Sequence, residues 1–178
     1  ASSPRYFFSF FSLALGPEYK DYLEKQKLLD KKLNKSFEYD IYHRLNGDNY
    51  GWEAEAYLNN FGLKTSNSMK NLNEDLANYS LCISSYNATV GLGTLAINFP
   101  TILYWPKDIF EIRIVASKDL DELASVGIYH DNLDSLVNHF KNISGDISSW
   151  WNKKSTQIKR ISFCKKYANT SFDWINNL

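Results

Sequence analysis

The chain has 178 residues, enough for one ordinary domain with a helical appendage, and 44% of them are hydrophobic, so a real core is available. Its 20 basic residues balance its 20 acidic ones, which argues against nucleic acid as a partner and gives no electrostatic hold on anionic lipid. The two cysteines, Cys82 and Cys164, have no His or second Cys at metal spacing, which argues against zinc and against a disulfide framework and suits a thiol-reducing compartment.

Tyr6 to Leu13 is a continuous apolar and aromatic run, shorter than the ~18 residues a membrane span needs, and reads as a strand covered on both faces. Gly16-Pro17 opens a helix whose inner stripe is Tyr19, Tyr22, Leu23, Leu29 and Leu33. Phe37 to Leu45 alternates as a strand does, Asn46 to Asn49 turns, and Tyr50 to Phe61 reads as a short helix. Lys64 to Ser68 suits an edge strand, and Leu72, Leu76 and Tyr79 make a small amphipathic helix. Leu81 to Ser84 is then a strand, Thr89 to Asn98 a helix, Thr101 to Trp105 a strand, and Ile109 to Val126 a helix stopped by Gly127. Ile128 to His130 is a short strand, and Asp131 or Asn132 caps a helix with Leu133, Leu136, Val137 and Phe140 inside. Trp150-Trp151 and a basic helix from about Lys153 to Tyr167 complete the chain. Strands alternating with helices predict an α/β fold with a Rossmann-like parallel sheet, residues 1–145, and a helical tail, residues 146–178, packed on the same domain. Met69 is the only methionine, so Ala1 is not a translation start and the chain reads as cut from a longer protein.

Ligands of open parallel sheets bind outside the carboxyl ends of the strands. That rule selects Ser12, His43-Arg44, Ser84 to Asn87, Trp105 and His130. The segment Ser84-Ser85-Tyr86-Asn87-Ala88-Thr89 stands first, because a helix start offers unpaired N–H groups and partial positive charge to a phosphate or carboxylate. Ordinary capping by Ser, Asn or Thr explains the same residues without a ligand. Gly91 and Gly93 inside that helix are unusual, since each costs roughly 1 kcal/mol against Ala. Arg44 can hold a phosphate bidentately and His43 can donate to one or move a proton; the plain alternative is a strand-end ion pair with Asp48 or Glu53. Asp48 complements a helix start, and Glu111 and Arg113 suit ribose hydroxyls and a phosphate or, equally, a solvated face. His130 reads as structural. No Gly-x-Gly-x-x-Gly, phosphate-loop Lys or Ser/His/Asp spacing is present, which argues against dehydrogenases, phosphate-loop ATPases and the familiar hydrolases.

His43-Arg44-Leu45 with Asp48-x-Tyr50-Gly51-Trp52, Ser85 to Thr89 with Thr94-Leu95-Ala96, and Asn98 to Ile102 together resemble one bacterial family. So do Trp105, Glu111-x-Arg113, Gly127-Ile128-x-His130-Asp131, Trp150-Trp151-Asn152 and Phe163-Cys164-x-x-Tyr167-Ala168. These segments are similar to the LIC12162-like transferases, sugar transferases associated with surface carbohydrate biosynthesis. The resemblance implies the C-terminal, donor-binding half of a GT-B glycosyltransferase, cytoplasmic at the inner face of the membrane, with peripheral membrane association of the full-length protein. It implies a nucleotide-sugar donor, a sugar or glycan acceptor, a separate N-terminal domain, and neither metal ion nor cofactor. Ser84, Ser85, Tyr86, Asn87 and Thr89 would then serve the donor phosphates, His43, Arg44 and Asp48 the nucleotide or transferred sugar, and Glu111 with Arg113 the ribose side. No catalytic base is named by it. Gly91 and Gly93 depart from the family pattern, which has a bulky residue and an acid there. A nucleotide-sugar epimerase on the same architecture and a non-catalytic interaction domain are the alternatives.

Overall fold

The computed structural model describes residues 17–34, 39–45, 53–66 and 71–168. The expected strand at Tyr6 to Leu13, Ser12, and the Asp48, Tyr50 and Trp52 group lie outside the described residues. Contacts divide the chain into two compact units, with the boundary between Asn78 and Tyr79.

In the first unit, helix α1 (Pro17–Asn34) buries Leu23, Gln26, Leu29, Asp30 and Leu33 along one face. Strand β1 (Tyr42–Arg44) pairs in parallel with β2 (Lys64–Ser66), with His43 opposite Thr65. Helix α2 (Ala54–Asn60) connects them in the manner of a βαβ crossover. Leu23, Leu58 and Leu63 form its apolar centre, with Tyr19, Tyr22, Leu45 and Tyr57 packed around them. Helix α3 (Leu72–Leu76) follows, capped by the Asn71 side chain on Asn73 N–H.

The second unit is built on a three-stranded parallel sheet, β3 (Cys82–Ser84), β4 (Thr101–Tyr104) and β5 (Tyr129–His130), with β4 central. Every residue of β4 is buried, as expected of a parallel strand covered on both faces. Helix α4 (Thr89–Ala96) joins β3 to β4, and α5 (Ile114–Ala124) joins β4 to β5. α5 begins later than its apolar pattern predicts. Pro106 O accepts from the N–H groups of Ile109 and Phe110, and that turn holds the chain out of helix until Arg113. Gly127 ends α5 region with φ +78°, and a Cβ there would lie 2.2 Å from His139 Cε1, so this stop admits only glycine.

Helices α6 (Leu133–Ile143), α7 (Ile147–Trp151) and α8 (Lys154–Tyr167) complete the unit. Asn132 caps α6 and Asp146 caps α7. The final helices are anchored by polar hooks as well as by apolar burial. The Trp150 indole donates to Val126 O at 2.8 Å and the Trp151 indole to Asn98 O at 3.1 Å. The buried Arg160 guanidinium donates to Leu95 O at 2.8 Å, where a cation also complements the C-terminal end of α4. The fold is therefore α/β, with small parallel sheets flanked by helices, as the alternation of patterns predicts. Among the described residues no helix is long and apolar enough to cross a membrane.

Candidate functional site

The carboxyl end of β3 runs straight into the start of α4. Ser84 is buried there, and its hydroxyl donates to Tyr86 O at 3.2 Å, which folds the turn back on itself. The N-cap residue is Ala88, in extended conformation, and its side chain makes no capping hydrogen bond. The N-cap position itself is thus not filled by Ser, Asn or Thr. Asn87 is half-buried and Thr89 exposed, and neither side chain has a bonding partner among the described residues. The first-turn N–H groups of α4 accordingly sit at the carboxyl end of β3 with polar side chains beside them.

Gly91 explains how α4 comes so close to the sheet. A Cβ at this position would lie 2.7 Å from Leu103 Cδ2 and 2.9 Å from Ser84 Oγ. A bulkier residue has no room at this spacing, so Gly91 goes with tight packing of helix on strand. Gly93 is different, because a Cβ there would meet nothing within 4 Å.

The loop after β4 reaches the same turn. The Tyr86 and Phe110 rings meet edge to face at 5.6 Å, which brings the segment carrying Glu111 and Arg113 alongside the turn. Both of these side chains are exposed, and neither is engaged within the described residues. The Trp105 indole N–H, at the end of β4, is buried without a hydrogen-bond partner among the described residues. At the end of β5, His130 bonds Ser135 Oγ at 2.7 Å and Gly127 O at 3.2 Å. A ring nitrogen facing a carbonyl must carry the proton, so Nε2 donates and Nδ1 accepts from Ser135. His130 is a structural residue, as its sequence context suggests.

His43 and Arg44 belong to the first unit and are held differently. His43 Nε2 lies 3.0 Å from Asp30 Oδ2, and Arg44 Nη1 donates to Asp75 Oδ2 at 2.6 Å. Both carboxylates are buried. Asp48 is outside the described residues; among those described, the acids bonded to these two side chains are Asp30 and Asp75. Sequence reading missed both acids, although the signal existed: each interrupts the apolar face of a predicted helix, Asp30 between Leu29 and Leu33 and Asp75 between Leu72 and Leu76.

Cys82 offers no nucleophile, since burial pushes its thiol up to about 11. Cys164 is shifted the same way by burial. Among the described residues no three His, Cys, Asp or Glu side chains converge as a metal ion would require. No curated protein and no solved structure matches the chain significantly. A family model does, over residues 1–178, and its description is LIC12162 family transferase. With a parallel α/β fold and polar residues gathered at its strand ends, the chain belongs to the LIC12162 family of transferases.

Proposed function

We propose that the second unit binds the nucleotide-sugar donor of a GT-B-type glycosyltransferase in surface polysaccharide assembly. The observation that carries this reading is the start of α4 at the carboxyl end of β3, where Ala88 at the N-cap gives no side-chain bond and Asn87 and Thr89 have no partner among the described residues. The N–H groups of Thr89, Val90 and Gly91 meet the donor diphosphate, where helix polarity favours negative charge. Their value rises as the sugar departs, because the leaving diphosphate then carries more charge than in the bound donor. Asn87 and Thr89 add side-chain donors, Ser84 braces the turn from below, and Ser85 and Tyr86 complete its rim. Arg113 supplies a cationic contact and Glu111 accepts from ribose hydroxyls. The acceptor contacts come from the N-terminal domain that the family resemblance implies.

Calorimetric titration of the full chain with UDP-glucose, GDP-mannose and CMP-N-acetylneuraminate tests the reading. At least one should bind, and Asn87→Ala should weaken it about tenfold, the loss of one hydrogen bond to a charged group. No binding of any nucleotide sugar at millimolar concentration to a folded protein would favour an interaction domain instead.

A further inference from the structure

The ladder between β4 and β5 runs on past Tyr104, since Trp105 N–H donates to His130 O at 3.0 Å just as Leu103 N–H donates to Ile128 O at 2.7 Å. Trp105 therefore turns to the same face as Leu103, one pleat nearer the strand ends. Tyr129, opposite Leu103, shares that face and meets the Trp105 ring at 5.8 Å between centroids. It is the face that carries α4, because a Cβ on Gly91 would touch Leu103 and Ser84. With Gly91 seated over Leu103, the residues that lead into it from Ser84 lie toward the strand ends, as Trp105 does. Trp105 is 4% exposed, and its indole N–H has no hydrogen-bond partner among the described residues. The indoles of Trp150 and Trp151, by contrast, each donate to a main-chain carbonyl. A buried donor without a partner is costly, and a ligand acceptor removes the cost.

We propose that the Trp105 indole N–H binds one phosphate of the donor diphosphate while the first-turn N–H groups of α4 hold the other. The role rests on the donor reading and narrows it. An indole donates and cannot accept, so its partner is an acceptor oxygen. Phosphate oxygens are the strongest acceptors that a nucleotide sugar brings to a helix start. The indole adds no charge, and its contribution comes from a hydrogen bond made among apolar neighbours, where such bonds are stronger than in water. The N–H is closed to solvent without ligand, so a phosphate reaches it with a shift of the side chains around it. Two contacts, one for each phosphate, select a nucleoside diphosphate sugar. A nucleoside monophosphate sugar leaves one of them unfilled, which is how a site with a fixed polar group rejects a ligand that lacks the matching atom.

Proton–nitrogen spectra of the full chain read the indole directly, with Trp105→Phe assigning its signal. UDP and GDP are the probes, and UMP and GMP, each one phosphate shorter, are the controls. In the parent protein the Trp105 indole signal should move downfield with UDP or GDP, together with the amides of Thr89 to Gly91. Trp105→Phe, which keeps a ring beside Tyr129, should weaken the bound diphosphate about tenfold and its monophosphate less than about twofold. An indole signal that stays in place while the amides of Thr89 to Gly91 move overturns the proposal and leaves the donor reading standing. The N–H would then be satisfied by a trapped water or by the face of the Tyr129 ring. Equal weakening of diphosphate and monophosphate by Trp105→Phe also overturns it, because a packing role does not distinguish the two. Failure of both signals to move with either diphosphate overturns the proposal and the donor reading together.

Discussion

The end of β1 and the start of α4 carry similar polar residues, yet the structure treats them in opposite ways. At β1 the charges are spent inside the protein: Arg44 on Asp75 and His43 on Asp30, with both acids buried. At α4 the donors are left over: Ala88 supplies no cap, and Asn87 and Thr89 have no partner among the described residues. The first arrangement fixes side chains in place, and the second leaves Asn87 and Thr89 without a partner among the described residues. Substitutions in the two regions should therefore separate stability from ligand binding.

Arg44→Ala gives the largest effect. It leaves Asp75 buried without its cation, and because the pair keeps some solvent contact we expect a loss of about 3 kcal/mol, the low end for breaking a buried pair. Denaturant unfolding of the full chain checks it, and a loss below 1 kcal/mol would mean that Asp75 is compensated by other groups. Acid acts next, on the second unit. Burial pushes His139 down to about 4, with His130 and Lys153 adding to the shift. Its folded value lies below the unfolded 6.5, so the neutral ring contributes stability above pH 6.5 that is lost as pH falls toward 4. Thermal melts across that window should show the loss, and His139→Phe should flatten it.

The two glycines of α4 should differ in sign. Gly91→Ala forces a methyl against Leu103 and Ser84, and overpacking of about 1–3 kcal/mol outweighs the roughly 1 kcal/mol gain in helix propensity. Gly93→Ala has open space and should stabilise by up to about 1 kcal/mol. Paired melting curves test both. The smallest stability effect belongs to Asn87→Ala, within about 0.5 kcal/mol, even though the same change weakens donor binding. That dissociation is what the comparison of the two regions demands.

The alternation of periods was sufficient to read the second unit, because β3, α4, β4, α5, β5 and α6 each carry a pattern that burial enforces. β4 is the clearest case, four buried residues opened by Pro100 and closed by Trp105-Pro106. The delayed start of α5 was not legible, since Ile109 and Phe110 fit a helical stripe, whereas the structure holds them in a turn on Pro106 O with Phe110 packed on Tyr86. The turn at Ser84 to Thr89 was readable as a helix start. Its missing cap was not, because Ser, Asn and Thr all cap helices and the sequence does not say which residue occupies the N-cap position. The acids behind His43 and Arg44 were hidden for a similar reason: Asp30 lies 13 residues from His43 and Asp75 lies 31 from Arg44, and only the fold brings them together.

The most direct test of the donor site is an amide footprint of the full chain, recorded by proton–nitrogen spectroscopy while UDP-glucose, GDP-mannose or CMP-N-acetylneuraminate is added. The predicted result is saturable shifts centred on the N–H groups of Asn87 to Gly91, with Glu111 and Arg113 affected and the Trp150-Trp151 region unmoved. Binding that shifts other amides and leaves Asn87 to Gly91 unchanged would contradict the assignment of the α4 start as the phosphate site.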